Sequence, residues 1–336
     1  MNEFQEFKNY LQQNENIFRA WGEFVAEKIQ KELHLQISPL KIHEFLKIEA
    51  KPRVKDINSA LVKIGRKNYT NPSKEMTDLV GVRFVVLIAE QINMISNIIE
   101  NETEWDALLS KDFEKDKLEN PNVFDYQSKH YEVRPKNPIT VKFEGEKIII
   151  PQEICCEVQV RSLLQHAYAE LVHDNLYKSK GSVPNKAKRE VAKSMALMET
   201  TDDLFNQTLK ILHQHNEPIE CLYEKLSKFY IDNISGESNF DRKTNLIILA
   251  DFSDLIESDT DTIEKIRDLF NTKTYIKNKI TSRVKDYYLF QQPIILFIYW
   301  VVSTNHARIT INNWPLPAYQ RELNYIFTDL DKGSIL

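Results

Sequence analysis

Between Glu153 and Arg161 the chain alternates, with Ile154, Cys156, Val158 and Val160 against Glu153, Glu157, Gln159 and Arg161. A period of two is that of a strand, so a carboxylate, an amide and a guanidinium share one sheet face backed by an apolar one. A run of charge and amide on one face, backed by an apolar one, is how a sheet presents chemistry to a cleft. A helix is expected at about 162–176, carrying His166, Glu170 and His173 at i, i+4 and i+7, hence on one side. Zinc is a poor reading of these three, because the spacing is not H-E-x-x-H and a carboxylate–histidine hydrogen bond explains them as well. His173-Asp174 also spells the dipeptide of metal phosphohydrolases, but no upstream histidine cluster supports it.

Three earlier clusters carry similar chemistry. Lys51, Arg53, Lys55, Lys63, Arg66 and Lys67 are set against Asp56 alone. They suit a polyphosphate, which arginine can bind bidentately, or else form a solvated helix face. Asp78-Leu-Val-Gly81-Val-Arg83 lies at the start of an apolar run. It can hold Mg²⁺ and a nucleotide, or serve as a turn with a surface ion pair. Tyr126, Ser128 and His130 fall at even positions of a third alternating segment. There an exposed tyrosine can stack on a base, or the segment is a half-exposed amphipathic strand.

These residues need elements to place them. Helices are expected over 3–34, around 56–67 and near 90–101; strands over 43–50, 79–88 and 126–134; and a hairpin over 139–150 turning at Gly145. Residues 102–125 are charged, contain Pro121 and read as a loop. After Pro184 the strand signal fades, and helices are expected over 185–213, 217–232, 261–271, 274–290, 293–304 and 317–329. This divides the chain into N-terminal helices (1–39), an α+β unit (40–183) and a helical C-terminal region (184–336).

Composition narrows the classes. The chain has 336 residues, 42% hydrophobic and 28% charged, with a net charge of -5. It is large enough for one or two cores and is not polybasic. With seven glycines and no G-x-x-x-x-G-K-[ST] or G-x-G-x-x-G, side chains must hold any phosphate. Three cysteines, two of them adjacent and none at metal spacing, fit a reducing cytoplasm. The N-terminus lacks the basic start and apolar core of a signal peptide. The longest apolar run, Pro293 to Val302, is too short to span a bilayer, so no membrane association is expected.

Taken in order, Arg53-Val-Lys55 with Ser59 and Lys63, Asp78 through Arg83, Tyr126-Gln-Ser-Lys-His130, Glu157-Val-Gln-Val-Arg161, and His166 through Glu170, His173 and Tyr177-Lys178 resemble the RelA/SpoT synthetase domain. The resemblance covers about residues 40–180. It implies a nucleotidyltransferase-like mixed β-sheet flanked by helices. It also implies transfer of the ATP pyrophosphate to the 3′-hydroxyl of GDP or GTP, giving (p)ppGpp and AMP. By resemblance, Glu157 is the base, and Asp78 with Glu157 holds Mg²⁺. Arg53, Lys55, Ser59, Lys63 and Arg83 would meet ATP. Tyr126, Ser128, His130 and Gln159 would seat the acceptor, with Arg161, His166, Glu170 and His173 as supports. Three positions depart from the family pattern, which has Gly at Asp125, a large apolar residue at Lys129 and Trp at Tyr168. Asp125 adds negative charge at the acceptor mouth, and this leaves tRNA or adenine nucleotides as alternative acceptors. A silent nucleotide sensor is the alternative of a different class. With so few residues before position 40, no hydrolase domain is expected ahead of this region. The helical region is the candidate site for a regulator, an antitoxin or a second copy of the chain.

Overall fold

A computed structural model describes residues 3–38, 40–125, 127–172, 183–236, 239–256, 261–310 and 312–335. It divides into two compact units, Met1–Thr208 and Leu209–Leu336.

The first unit opens with helices α1 (Glu3–Gln13), α2 (Glu15–Ile37) and the single-turn α3 (Ile42–Phe45). Then come β1 (Arg53–Val54), α4 (Ile57–Lys67), the single-turn α5 (Pro72–Glu75), β2 (Val80–Val86), α6 (Ile92–Asn101), β3 (Trp105–Lys111), α7 (Phe113–Glu119) and β4 (Lys129–Pro135). The hairpin of β5 (Ile139–Phe143) and β6 (Glu146–Ile150) leads to β7 (Cys156–Ser162), α8 (Leu163–Val172) and α9 (Asn185–Asn233). Five strands form one sheet in the order β1-β2-β7-β4-β3. Only β2 and β7 run parallel; the other neighbouring pairs are antiparallel. The α+β mixed sheet flanked by helices is therefore present as expected.

The alternation read in the sequence decides what each face of this sheet does. Val80, Val82, Phe84, Cys156, Val158 and Val160 join one core with Trp21, Val25 and Ile29 of α2 and Ile95 and Ile99 of α6. Trp21 is fully buried, and its indole donates to the Val133 carbonyl at 3.2 Å. Each such side chain contributes about 1.5–3 kcal/mol on burial, far more than the roughly 0.5 kcal/mol by which ordinary helix propensities differ. Packing thus holds α2 on the sheet. The opposite face is left to polar groups.

Several local expectations are corrected. Residues 43–50 form α3 and one isolated bridge, Ile48 to Val85, rather than a strand. The N-terminal helix breaks in two at Asn14. Residues 102–125 hold the edge strand β3 and helix α7, the latter capped by Asp112, which accepts from the Glu114 amide. The hairpin turns through Glu144 and Gly145, both at positive φ (49° and 87°), as a tight two-residue turn requires.

The second unit contains α10 (Arg242–Asp251), which was not expected, with α11 (Asp261–Thr272), α12 (Tyr275–Arg283), α13 (Ile294–Asn305) and α14 (Gln320–Asp329). Its core centres on α13, where Ile294 through Tyr299, Val301 and Val302 are all buried. The helices expected at 185–213 and 217–232 are one element, α9, which continues through Pro218. No helix among the described residues is long and apolar enough to cross a membrane.

Candidate functional site

Asp56 begins the site locally. Its carboxylate caps α4, accepting from the Ser59 amide at 2.9 Å and the Ser59 hydroxyl at 3.1 Å. This aims α4 so that Lys63 reaches across to Asp78, just before β2. Lys55 comes from β1's end, and both ammonium groups lie 2.7 Å from Asp78 Oδ2. Burial works to raise the Asp78 carboxyl, but the two lysines outweigh it and hold it below the usual aspartate range. Asp78 Oδ1 is buried with no hydrogen-bond partner among the described residues.

The β2–β7 register sets Gly81 opposite Glu157 and Arg83 opposite Gln159. A side chain at Gly81 would put its Cβ 3.2 Å from the Glu157 carbonyl, so glycine here keeps the floor open beside that carboxylate. On β7 the three polar residues form a chain. Arg161, buried, donates to Gln159 Oε1, and Gln159 Nε2 donates to Glu157 Oε2 at 2.6 Å. From β4, His130 Nδ1 lies 3.4 Å from Glu157 Oε1. Burial again pushes the carboxyl up, and the His130 and Gln159 contacts bring Glu157 below its ordinary range against the nearby charge of Asp78.

These groups open on one cavity of about 950 Å³. Of the expected site residues, Arg53, Lys55, Ser59, Asp78, Arg83, Glu157, Gln159, Arg161 and Glu170 line it. Lys63 joins through Asp78, and His130 through Glu157. Tyr126 and His173 lie outside the described residues. Ser128 differs from its expected place at the acceptor. It is fully buried ahead of β4, with its hydroxyl donating to the carbonyls of Lys129 and Val160. Glu170 differs too: it pairs with Arg83 at 3.0 Å on the rim, and His166 Nδ1 stands 3.9 Å from it, beyond hydrogen-bond reach. Burial, with Arg83 and Arg161 nearby, keeps His166 below the usual histidine range.

The sequence reading missed Lys111 and Glu49, both in the cavity lining. A register shift between Leu109 and Lys111 sets Lys111 opposite His130, and a strict period of two does not foresee that. Burial, with Arg161 close by, draws the Lys111 ammonium below its usual range despite Asp116 and Asp125.

A family model described as "Region found in RelA / SpoT proteins" matches residues 52–182. The match begins just before Arg53 and runs past β7 and α8, so it takes in the carboxylates and cations described above. The chain is 25% identical over 167 residues to GTP pyrophosphokinase YwaC of Bacillus subtilis (strain 168), covering 48% of this chain and 74% of that protein. Among solved structures, small alarmone synthetase 1 from Bacillus subtilis matches with a TM-score of 0.48 and 18% identity, covering 62% of this chain and 99% of that one. The same protein bound to its product pppGpp gives 0.47 and 18%, covering 62% and 98%.

Proposed function

We propose that the RelA/SpoT region is an ATP-dependent pyrophosphokinase that transfers the pyrophosphoryl group of ATP to the 3′-hydroxyl of GDP or GTP. The observation that carries this reading is the meeting of Asp78 and Glu157 on one cavity with cations from β1, α4 and β2. The likeness to a GTP pyrophosphokinase over 167 residues supports the acceptor class.

A ribose hydroxyl is a poor nucleophile at neutral pH. Glu157, ionised and held by His130 and Gln159, takes the 3′-hydroxyl proton as that oxygen attacks the β-phosphorus of ATP. The bond from the β-phosphorus to the α–β bridging oxygen breaks, and AMP leaves. Arg53, Lys55, Lys63 and Arg83 are placed to offset the triphosphate charge, and Ser59 lines the same wall. Asp78 and Glu157 also fit Mg²⁺, since both offer carboxylate oxygens and Asp78 Oδ1 has no hydrogen bond among the described residues. The ion, when bound, supplies charge neutralisation on the transferring group.

One observation keeps a second acceptor in view. Asp125 lines the cavity and counters the positive charge of Lys111. That leaves less positive charge for a 5′-polyphosphate and suits a tRNA 3′ end, whose terminal ribose carries none; an adenine nucleotide differs from GDP or GTP in its base alone and stays a candidate acceptor on that ground. The test is incubation with ATP labelled in its β- and γ-phosphates and, separately, GDP, GTP, ATP and tRNA. Label on GDP or GTP is the expected result. Label on tRNA, or on a 3′-pyrophosphorylated adenine nucleotide, and on no guanine nucleotide would move the activity to the second acceptor class, and no transfer to any acceptor would leave a nucleotide-binding sensor.

A further inference from the structure

Within the first unit, helix α9 carries carboxylates that the transfer chemistry does not use. Glu199 Oε2 accepts from Gln127 Nε2 at 2.9 Å, and Glu199 Oε1 lies 2.9 Å from Lys117 Nζ. Gln127 is buried, and its Oε1 accepts from the buried Gln165 Nε2 at 3.3 Å. Gln165 Oε1 accepts in turn from the Ser162 amide at 3.0 Å, at the end of β7. Glu199, itself half-buried, thus joins a relay through the buried Gln127 and Gln165 that ends on the strand bearing Glu157.

The helix that holds Glu199 is itself fixed on both sides of it. Met195 packs with Tyr168 and Val172 of α8. Asp202 Oδ2 accepts from the Ala89 amide at 2.6 Å, just after β2. Glu199 therefore projects from a rigid support, and its two oxygens take different jobs. One holds the last turn of α7 through Lys117, and the other holds the start of the β4 segment through Gln127. Between those anchors runs the loop Asn120–Asp125, whose last residue lines the cavity. A carboxylate serving only helix solubility pairs three or four residues away, whereas Glu199 reaches a partner 72 residues away in sequence.

We propose that Glu199 is a positioning residue for the acceptor: by gripping both flanks of the Asn120–Asp125 loop it fixes the acceptor end of the cavity. The role rests on the pyrophosphokinase reading. Fixing both ends of a short loop removes freedom that acceptor binding would otherwise have to remove, so the grip is felt in acceptor affinity more than in the chemical step.

Steady-state kinetics of the full chain test this, using Glu199→Ala and Glu199→Gln with ATP and the acceptor that accepts label. Glu199→Ala is expected to raise the acceptor KM about tenfold, with the KM for ATP changed less than about twofold. Glu199→Gln keeps an oxygen for Gln127 and loses only the charge toward Lys117, so it should recover part of the loss. Hydrogen–deuterium exchange gives a readout free of catalysis: Glu199→Ala should speed exchange in peptides covering 118–125 and leave those covering 53–67 unchanged. Equal rises in both KM values, or unchanged exchange at 118–125 in both variants, would overturn the positioning role. A wild-type chain that transfers to no acceptor would instead sink the pyrophosphokinase reading and the acceptor role with it. The exchange data would then still decide whether the loop is gripped.

Discussion

The two units treat their buried carboxylates in opposite ways. In the second unit Asp329, whose side chain is only 3% exposed, meets Arg283 through both oxygens and also accepts from the Tyr299 hydroxyl. Glu322 accepts from the Leu289 amide, with burial holding its carboxyl above the usual range. These acids link α12, α13 and α14 to one another and to the turn before α13. In the first unit Asp78 keeps one buried oxygen with no hydrogen bond among the described residues, and Glu157 sits at the open floor of a cavity. A buried acid enclosed among groups of the fold stabilises it; one that also borders an open cavity is available to a ligand. The same residue type thus marks structure in one region and a candidate site in the other.

Substitution of the most exposed element of this contrast should have the largest effect. Glu157→Gln preserves shape and the contact with Gln159 but removes the proton acceptor. Transfer should fall by about 10³-fold, while binding of a nonhydrolysable ATP analogue, followed by calorimetry, stays near wild type. Turnover within about tenfold of wild type would remove Glu157 as the base.

The structural acid should behave the other way. Asp329→Ala leaves Arg283 without its carboxylate partner and Tyr299 without an acceptor. Breaking such a buried pair costs about 3–5 kcal/mol. The second unit should therefore unfold at markedly lower denaturant, read by the fluorescence of Trp300 and Trp314, which lie in it. ATP-analogue affinity below that transition should be unchanged. A loss under about 1 kcal/mol would show that Asp329 is no more than a surface ion pair.

How much of this could be read in the chain follows from the same physics. β2 and β7 were legible because each is buried on one face, and burial enforces a period of two that puts Glu157, Gln159 and Arg161 together. β3 was not. It is an edge strand paired only with β4, and Leu108 and Leu109 are both exposed, so no alternation survives. Lys111 was lost with it, since a register shift rather than a pattern brings it to the cavity. Ser128 was misplaced by extending the β4 alternation one residue pair too far: the strand begins at Lys129. The helices expected over 185–213 and 217–232 are one, because α9 continues through Pro218 although that residue lacks an amide donor. Glu170 shares a helical face with His166, as spacing required, but the Arg83 guanidinium from β2 is the better partner for its carboxylate.

The finest test lies inside the site, between two causes of one shift. Burial raises the Glu157 carboxyl, and His130 is the strongest of the contacts that lower it, so the group ends below its ordinary value of 4.5. Its ionised form, and the stability that form contributes, persist as pH falls toward 4.5 and disappear only through the lower folded-state value. The acid limb of kcat/KM for transfer should therefore fall below pH 4.5 in the wild type. His130→Ala deletes the strongest lowering contact and leaves burial and the Asp78 charge opposed mainly by Gln159. The limb should then move to higher pH, and the Glu157 side-chain carbon resonance should titrate upward with it in NMR. An unmoved limb would mean that the 3.4 Å approach of His130 carries no electrostatic weight, and that Gln159 alone offsets the burial of the base.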